Sequence, residues 1–597
     1  MQMKTPLLLS LFLLLCGLTQ SQYVVKSNNI LNPDLNIDYV KINANFWIKN
    51  AYDPTYGGFY SSIARNGSVL SATQKSLISQ TRQGYGMTRA FMLTGDETYL
   101  TYAASALKFL CDFGWDKTNE GWFTFAKRDG SLDNRVGWNP NATKWGFTQQ
   151  YALVGLIANY EATHDDGIKV WMDKGLNSIN NHMWDSRPGY EGYFADAALN
   201  WSTKTGKGFT PTVDAITTNA ELNYLVTQTP ESKNRLMQLS DIIVNRFIGA
   251  MSDTRVKVLY PENFTNDWAM TYETNNGSVG HFIKTAWCLG RAYLCDTTKK
   301  AYRDAAIKIL DQTWSYTNNG VSTWDHTNGG PFNAINYATG TWGTGGDNKD
   351  YWTLEQGFTG PMINYYITKN PIYLQMSDES INFFMNNLVD KTYGEIFSEL
   401  DPIGTTIRSD VKGDDFKACY HSIELGYYAY LYSNLYYLHQ PASLFYKFAP
   451  KTSAQQIKLT PIPMEENKLK IKGVTLDGNN YTDYDATTRT LNIAANQGGK
   501  FKVTFEYADN YTNSIDRIST AQVRVYPNPA QHYINISGVE DIRLIKITTL
   551  SGKLILVKEL NGNSTQTIDV SNFEKGIYLI IFESSDNAKL VRKFVKD

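Results

Sequence analysis

Cysteine is scarce in this chain, and the spacings typical of metal sites are missing. Five cysteines occur in 597 residues. The four beyond the N-terminal segment are Cys111, Cys288, Cys295 and Cys419, and none has the Cys-x-x-Cys spacing. There is also no His-x-x-x-His pair and no loop with the spacing of calcium ligands. We therefore predict that these cysteines are small buried apolar side chains, and we predict neither a metal nor a cofactor.

A strong charge imbalance and a long internal apolar run are missing as well. The formal net charge is −2, which gives no support for a nucleic-acid partner. An apolar run from Pro6 to Leu18 follows Lys4 and ends before small residues. This arrangement predicts a secretory signal peptide over residues 1–21, because the run is too short for a retained membrane helix. No membrane-spanning segment is predicted.

Aromatic residues, in contrast, are abundant. They make up 13% of the chain, with 39 tyrosines and 14 tryptophans. Most should pack in the core, but an excess of Tyr and Trp also suits a groove that stacks on the faces of sugar rings. At this length the chain should contain more than one domain and bury large cores.

One short phrase recurs along the chain: an Asp, a few turn-forming residues, and usually one or two glycines before an aromatic. Copies begin at Asp53, Asp116, Asp185, Asp253, Asp325 and Asp390, of which the copy at Asp253 is the weakest. Successive copies lie 63–72 residues apart, which is the length of two helices with their loops. Apolar residues between the copies recur at helical spacing. The repeat predicts six helical hairpins that close into an (α/α)6 toroid over residues 22–445, so the fold class is mainly α.

The pattern changes after Phe445. Residues 458–463, 468–474, 490–494 and 500–507 alternate apolar and polar side chains between turn residues, as β-strands do. We predict two small all-β, sandwich-like domains, one over residues 446–520 and one over residues 521–597.

The last of these domains carries motifs of its own. They are Val525-Tyr526-Pro527-Asn528-Pro529, Ser551-Gly552-Lys553, Gly576-Ile577-Tyr578-Leu579 and a basic end at Lys589–Lys596. This segment resembles the C-terminal sorting domain of the type IX secretion system of Bacteroidetes. The resemblance implies the type IX secretion machinery as a partner. It also implies a secreted or cell-surface location.

Five motifs follow one another along the predicted toroid. They are Tyr56-Gly57-Gly58-Phe59, Gln80-x-Arg82, Gly280-His281-x-Ile283, Tyr351-Trp352-x-x-Glu355 and Lys417-x-x-Tyr420-His421. In this order they resemble the N-acylglucosamine 2-epimerase superfamily, which includes cellobiose and mannose epimerases and related isomerases. The likeness covers about residues 40–440 and implies a barrel of six α/α hairpins.

The resemblance also implies where the chemistry lies. In the superfamily, histidines around the central cavity move a proton on the carbon next to a sugar carbonyl. His281 and His421 match two of these histidines, and a histidine takes and returns protons near neutral pH. The remaining histidines are predicted to be structural or exposed: His164, His182, His326, His439 and His532.

Three positions depart from the family pattern. Lys284 stands where the family has Glu, and Glu424 stands where the family often has Arg. The histidine expected near Asp214–Thr218 is missing. Because the first two changes reverse sign together, one interpretation is an exchanged ion pair between Lys284 and Glu424. The other interpretation is altered chemistry.

Altered chemistry together with export favours a polysaccharide lyase acting on a uronate-containing polymer, such as one of the ulvan type. A free sugar epimerised outside the cell would diffuse away, and α/α toroids also support lyases that abstract a proton next to a carbonyl. A cation at Lys284 would stabilise the enolate that such a step creates. The predicted catalytic residues are His281, His421, Lys284 and Tyr420. The predicted substrate contacts are Arg82, Trp268, Tyr351, Trp352, Glu355, Glu262 and Glu424.

Other functions stay open. The first is a sugar 2-epimerase or aldose–ketose isomerase true to the superfamily. The second is a glycoside hydrolase with Glu262 and Glu355 as its paired carboxylates, or a glycan-binding protein without activity. In each case the expected ligand is a polysaccharide, an oligosaccharide or a sugar.

Overall fold

The computed structural model describes residues 23–133, 141–271, 276–508, 523–539, 542–549, 553–560, 565–584 and 589–597. The predicted signal peptide and Cys16 lie outside these ranges. Inside them, no helix is long and apolar enough to cross a membrane. The chain forms two compact units. One comprises Met1–Tyr436, Leu444–Ala449 and Thr460–Pro463, and the other comprises Tyr437–Ser443, Pro450–Leu459 and Met464–Asp597.

Helices of the first unit form two concentric layers. The inner segments are Leu77–Thr94, Gly146–Thr163, Thr210–Asp214 with Ile216–Ala220 and Glu221–Thr227, Val279–Cys295, Tyr351–Thr368, and Tyr420–Tyr432 with Ser433–Leu438. The outer segments are Leu35–Ala51, Glu97–Gly114, Asp166–His182, Pro230–Ile242 with Ile243–Ile248, Lys300–Ser315, and Pro371–Phe383 with Phe384–Leu388; a short helix, Asn28–Leu31, precedes them. Inner helices are buried on nearly all sides, whereas outer helices bury one face.

The ring closes between its first and last inner helices. Tyr420–Tyr432 packs against Leu77–Thr94 as well as against Tyr351–Thr368. At the rim, the backbone N–H of Ile63 donates to the carbonyl of Gly413 over 3.0 Å. The predicted (α/α)6 toroid is confirmed. Of the four cysteines described, Cys111, Cys288 and Cys419 are buried as predicted, while Cys295 is half-buried.

Each copy of the Asp phrase forms the turn that follows an outer helix. In the first copy, the Asp53 N–H donates to the Gly58 carbonyl over 3.0 Å, and the Gly57 N–H donates to the Asp53 carbonyl over 2.9 Å. The two glycines have φ of 72° and 65°. Only residues that tolerate the left-handed region fit there, which explains why the phrase contains glycine at these positions. The copies at Asp116, Asp325 and Asp390 make the same pair of backbone hydrogen bonds.

In every copy except the weak one at Asp253, a buried lysine forms an ion pair with the aspartate. Each lysine precedes an inner helix, and its side chain is shielded from solvent. The Nζ–carboxylate distances are 2.9 Å for Lys75–Asp53, 2.9 Å for Lys144–Asp116, 2.8 Å for Lys207–Asp185, 3.3 Å for Lys349–Asp325 and 3.0 Å for Lys412–Asp390. The weak copy differs, because Asp253 pairs with the exposed Arg255. In five of the six repeats, this ion pair therefore fastens the start of an inner helix to the end of the preceding outer helix.

Glutamines on two inner helices hold the aromatic residue of the phrase. Gln80 accepts from the backbone N–H of Phe59 over 2.8 Å and donates to its carbonyl over 2.7 Å. Gln149 makes the same two bonds with Trp122, at 2.8 Å and 2.7 Å. The glutamine of the Gln80-x-Arg82 motif is thus a structural anchor, and it sets the position of Arg82 two residues later.

Replacing Lys144 by Met should lower the free energy of unfolding of the toroid by about 3–5 kcal/mol, because it leaves the carboxylate of Asp116 buried without its cation. Urea unfolding followed by circular dichroism measures the change. The control is Lys108→Met. Lys108 pairs with Asp112 on an exposed helix face, with 75% and 42% of the two side chains exposed, so a much smaller loss is expected. Equal losses in the two variants would contradict the anchoring role.

Acid should destabilise the toroid between about pH 4 and pH 2. Burial by itself would raise the pKa of Asp185 and Asp390, but hydrogen bonds from neighbouring arginines and buried lysines outweigh it and lower each pKa to about 2. An unfolded Asp has a pKa of about 3.9. Since the folded value is the lower one, the stabilisation is present above the unfolded pKa and is lost as the pH falls through the folded pKa. Melting temperatures measured from pH 7 to pH 2 at constant salt test this, and an unchanged melting temperature at pH 2 would contradict it.

Short antiparallel strands tie neighbouring repeats together at the end of the ring where the inner helices begin. Gln74–Ser76 pairs with Phe125–Lys127, Thr143–Trp145 with Asp196–Ala198, Lys207–Gly208 with Asn263–Phe264, Asn276–Ser278 with Ala334–Asn336, and Lys349–Asp350 with Glu399–Leu400. Further short strands are Ser62–Ile63, Val69–Ser71, Trp184–Asp185, Gly192–Tyr193, Lys204–Thr205, Thr317–Asn318, Val321–Ser322 and Ile407–Ser409. These links fix the loops from which the inner helices start.

The C-terminal part of the chain is built from antiparallel strands. The strands up to Tyr507 are Ala442–Phe448, Gln455–Lys458, Leu469–Leu476, Asn479–Tyr481, Tyr484–Asp485, Thr490–Ile493 and Gly499–Tyr507. Those after Val523 are Arg524–Tyr526, Tyr533–Ser537, Ile542–Thr549, Leu554–Glu559, Thr565–Asp569, Gly576–Ser584 and Lys589–Lys596, and they enclose an apolar core of their own. The predicted all-β character is confirmed. The predicted boundaries at 446, 520 and 521 stay predictions.

Candidate active site

A cavity of about 220 Å³ opens where the inner helices begin. It is lined by Arg82, Phe147, Tyr151, Asp214, His281, Lys284, Tyr351, Trp352, Phe416 and His421. Apart from Phe416, these residues come from the first two turns of the inner segments, and each of the six segments contributes at least one. The closed ring therefore brings together side chains that are up to 339 residues apart in sequence.

A larger groove of about 460 Å³ lies on the outer wall, between helices Glu97–Gly114 and Asp166–His182. Apolar side chains such as Trp171 make up much of its lining, and no histidine or arginine is among its lining residues. Histidine is the side chain that most often takes and returns a proton near neutral pH, and none lines the outer groove. The smaller central cavity is therefore the candidate active site.

Two neighbours fix the imidazole of His281. Its Nδ1 lies 2.8 Å from Oε2 of Glu262, and its ring stacks on Phe209 with the centroids 3.8 Å apart. The other carboxylate oxygen of Glu262 accepts from the backbone N–H of Ser278 over 2.8 Å, and Ser278 is the N-cap of the helix that carries His281. Glu262 thus orients the ring and leaves Nε2 available to a ligand in the cavity.

His421 lies deeper, with only 6% of the residue exposed. Its Nδ1 is 3.3 Å from Oε2 of Glu355. Burial, with the positive charges of Arg82 and Lys284, lowers the pKa of His421 well below its usual value. The imidazole is therefore neutral at physiological pH and can accept a proton.

The indole of Trp352 lies close to both histidines. Its ring centroid is 5.0 Å from that of His281 and 6.4 Å from that of His421. Tyr351 lines the same cavity, with its ring 5.7 Å from that of His421. The two predicted histidines therefore meet at one cavity, beside aromatic surface that suits a sugar ring.

Lys284 forms its ion pair with Asp214, and not with Glu424 as one interpretation of the sequence had it. Its Nζ lies 2.5 Å from Oδ1 of Asp214 and 3.4 Å from the hydroxyl of Tyr151. Burial would lower the pKa of Lys284, but the attraction of Asp214 outweighs it and raises that pKa above its usual value. The predicted Lys284–Glu424 pair is wrong because Asp214 supplies the counter-charge, at the position where the family histidine is missing.

Arg82 contributes a second cation to the cavity. Its Nη1 donates to the backbone carbonyl of Phe416, and the guanidinium lies 4.4 Å from the ring centroid of Tyr151 and 5.3 Å from that of Tyr420. Among the residues that the structure describes, no carboxylate forms an ion pair with Arg82. Its charge is therefore available to an oxygen of a bound ligand.

Two of the predicted residues, Trp268 and Tyr420, are buried in the packed protein and do not line the cavity. Trp268 is buried in the wall of the ring, where its indole N–H donates to the carbonyl of Glu191 over 3.0 Å and its ring packs on Phe264. Tyr420 is buried beside His421, with the ring centroids 4.6 Å apart. Neither is among the residues that line the cavity, because their positions on the chain turn them into the packed interior.

The three predicted glutamates contact the Nδ1 atoms of the two histidines. Glu262 contacts His281, while Glu355 and Glu424 lie beside Nδ1 of His421 at 3.3 Å and 3.9 Å. None of them lines the cavity. The geometry therefore does not present Glu262 and Glu355 to a ligand as the carboxylate pair of a hydrolase.

Several cavity residues were not predicted from the sequence. Phe147 and Tyr151 belong to a helix start that repeats the design around Gln80, so their place was predictable in principle. Asp214 was noted only as the position of a missing histidine. Phe416 lies on a loop and is 44% exposed, and no sequence pattern marks such a residue.

Comparisons with known proteins agree with this geometry. The family model described as N-acylglucosamine 2-epimerase (GlcNAc 2-epimerase) matches residues 58–424, which is more than half of the chain. The chain belongs to the N-acylglucosamine 2-epimerase family. The family segment includes every residue that lines the cavity.

Relatives of this epimerase-family chain include sugar epimerases and isomerases. Cellobiose 2-epimerase of Bacteroides fragilis is 24% identical over 392 residues, covering 63% of this chain and 93% of the relative. D-mannose isomerase of Marinomonas mediterranea is 22% identical over 373 residues, covering 60% of this chain and 86% of the relative. Among solved structures, a D-mannose isomerase matches with a TM-score of 0.59 and 18% identity over 68% of this chain and 99% of its own. Cellobiose 2-epimerase from Spirochaeta thermophila matches with a TM-score of 0.56 and 20% identity, over 68% and 98%. These structural matches support the toroid fold.

The end of the epimerase-family chain matches a second family model. Residues 524–597 match the secretion system C-terminal sorting domain. The protein is therefore secreted or displayed at the cell surface through the type IX secretion system, as predicted.

The comparisons favour the alternative over the predicted lyase. The chain is an enzyme of the epimerase and isomerase superfamily, and these findings give the lyase hypothesis no support.

Proposed function

We propose that this protein is an extracellular sugar 2-epimerase or aldose–ketose isomerase, which moves a proton on the carbon next to the carbonyl of an open-chain sugar. The observation that carries the proposal is the meeting of His281 and His421 at one cavity. In each histidine a carboxylate holds Nδ1, so Nε2 is the nitrogen left for the substrate.

His421 is the proposed base. A weakly acidic C–H next to a carbonyl requires a neutral acceptor, and His421 is kept neutral by burial and by nearby cations. Loss of the proton leaves an enediolate on the sugar. His281, oriented by Glu262, is the proposed partner that returns a proton from its own side of the substrate.

The cations of the cavity support the intermediate. The ammonium of Lys284 has three N–H donors, of which Asp214 and Tyr151 take two. The third donor and the guanidinium of Arg82 are the groups proposed to bind the oxygens that gain negative charge. A fixed cation in a site of low dielectric stabilises such a charge strongly.

A single sugar ring is the proposed occupant of the cavity. The cavity volume of about 220 Å³ is smaller than the roughly 300–1,000 Å³ of pockets that bury drug-sized ligands. The relatives named for D-mannose and cellobiose make a hexose, and the reducing-end hexose of a β-linked disaccharide, the first substrates to examine.

Incubation of the full chain with mannose, glucose, fructose or cellobiose in D₂O tests the proposal. Proton NMR should show deuterium entering at C2 of the aldose for an epimerase, and also at C1 of the ketose for an isomerase. The control is the protein with both His281 and His421 replaced by Asn, which should show no exchange. A lack of exchange with these sugars, together with ultraviolet absorbance of a new C=C bond from a uronate polymer, would overturn the proposal in favour of the lyase.

A further inference from the structure

Two buried carboxyl groups lie behind His421. Glu355 comes from the inner helix Tyr351–Thr368 and is 0% exposed, and Glu424 comes from the inner helix Tyr420–Tyr432 and is 2% exposed. One oxygen of each and a ring nitrogen of His421 all lie within 4.8 Å of one another. The two acids and the imidazole therefore form one compact cluster.

Neither carboxyl has a cation in contact. Among the described residues, the ion-pair partner of Glu355 and of Glu424 is His421 alone. Glu424 Oε1 accepts from the hydroxyl of Tyr85 over 2.8 Å, and Glu355 Oε2 accepts from Gln356. In the part of the chain that the structure describes, Glu355 Oε1 and Glu424 Oε2 make no hydrogen bond of normal geometry, although both atoms are buried.

The charged groups around the cluster do not supply the missing neutralisation. The titratable groups that face the two acids are Tyr85, Glu221, Lys284, Arg291, Tyr420, His421 and Tyr428. Of the cations near the cluster, Lys284 is bound by Asp214 and Arg291 by Glu221, both over 2.5 Å. The third, Arg82, acts electrostatically on His421, but among the described residues it forms no ion pair with either acid. Because His421 is neutral, two ionised carboxylates would leave two like charges together in the interior.

Two ionised carboxylates this close in the interior carry a large cost, which one proton on the pair would remove. Burial raises the pKa of Glu355, which the charge of Glu424 raises further, and burial also raises the pKa of Glu424. Glu355 Oε1 and Glu424 Oε2 are buried acceptors without a donor among the described residues, and one oxygen of each acid lies within 4.8 Å of the other acid. The two acids titrate as a unit, and a proton cannot be assigned to one of them alone.

We propose that Glu355 and Glu424 share a single proton at neutral pH and act as a proton store behind His421. The proposal rests on the proposed function, because it gives His421 the role of the base. The two glutamates are positioning residues, since His421 stands between them and the substrate.

The proton transfer balances within this cluster. When His421 Nε2 takes the proton from the substrate carbon, the C–H bond breaks, an N–H bond forms, and the electron pair stays on the sugar as the enediolate. The Nδ1 proton of His421 moves to the shared negative charge of the pair. The imidazole is then neutral again as the other tautomer, and both carboxyls are protonated. Return of the proton to the sugar reverses each move.

Counting the protons released on unfolding tests the shared proton without any substrate. The full chain is mixed into denaturant at pH 7 in weak buffer with a pH indicator. An unfolded Glu has a pKa of about 4.3, so the wild type should release one more proton per molecule than the variant Glu355→Gln/Glu424→Gln. The matched control, Glu97→Gln, changes an exposed glutamate and should leave the count unchanged.

Other counts would overturn the proposal. A difference of two protons means that each acid holds its own. A difference of zero means that both are ionised, and a divalent ion found by elemental analysis of the purified chain would then identify the charge that replaces the proton. This count does not depend on activity, so it separates failure of the shared proton from failure of the proposed enzyme.

A single variant gives a second measurement if the double variant does not fold. In Glu424→Gln, the negative charge is confined to Glu355, 3.3 Å from Nδ1 of His421. The acid limb of the pH profile of kcat/KM for sugar C–H exchange should then move to higher pH by about one unit. The reason is that the full negative charge, now on Glu355 alone, raises the pKa of the neighbouring imidazole. A limb that stays in place would show that Glu424 is not coupled to His421.

Discussion

Replacing His421 by Asn should lower the rate of sugar C–H exchange by about 10²- to 10⁴-fold, the range that a positioned acid–base group contributes. The neutral imidazole is the proposed acceptor of the substrate proton, and an amide at the same place cannot take it. Deuterium incorporation followed by NMR measures the loss. KM should change little, because the aromatic and cationic walls of the cavity remain.

His326 offers a matched control for this substitution. Its imidazole lies in the turn that follows an outer helix, where Nε2 is 3.0 Å from the carbonyl of Trp314, and it is not among the residues that line the cavity. His326→Asn should therefore retain the wild-type rate. If His421→Asn exchanged deuterium within a few-fold of wild type, His421 would not be the base.

Replacing Lys284 by Met should reduce both turnover and stability. The ammonium is one of the groups proposed to bind the enediolate, and removal of one such preorganised donor costs about 10²- to 10³-fold in kcat. The substitution also leaves Asp214 buried without its cation, which should lower the free energy of unfolding by about 3–5 kcal/mol. Kinetics in D₂O and urea unfolding measure the two effects separately.

A double variant separates the two effects of Lys284. In Asp214→Asn/Lys284→Met both charges are absent, so most of the lost stability should return. The catalytic loss should remain, because the cation is still missing from the cavity. Recovery of turnover together with stability would mean that Lys284 only holds Asp214, and the proposed role in binding the enediolate would be wrong.

The repeat shows why the fold was predictable from the sequence. Asp53 and its counterparts carry local information: a turn that needs residues of positive φ, and an aspartate that binds the following backbone N–H groups. Helical spacing between the copies is local too. What the sequence did not reveal was the set of buried partners, such as Lys75 and Lys144, since an isolated lysine before a helix is usually a solvated one.

The two histidines could also be predicted from the sequence, but the carboxylates that contact them could not. His281 and His421 lie in short motifs that match the pattern of the epimerase superfamily. Their carboxylate partners are 19 and 66 residues away in the chain, so the contacts arise only when the ring closes. The same holds for Asp214, whose pairing with Lys284, 70 residues later, replaced the predicted pair with Glu424.

The sequence alone determined the helical toroid, the strand-rich C-terminal part, the export route and the two histidines. These features depend on local periodicity, turn chemistry and short motifs, which neighbouring residues specify among themselves. Only the tertiary structure decided which charges meet: Asp214 with Lys284, Glu262 with His281, and Glu355 and Glu424 behind His421. Ion pairing depends on distances of a few ångströms between helices far apart in the chain, and closure of the ring sets those distances.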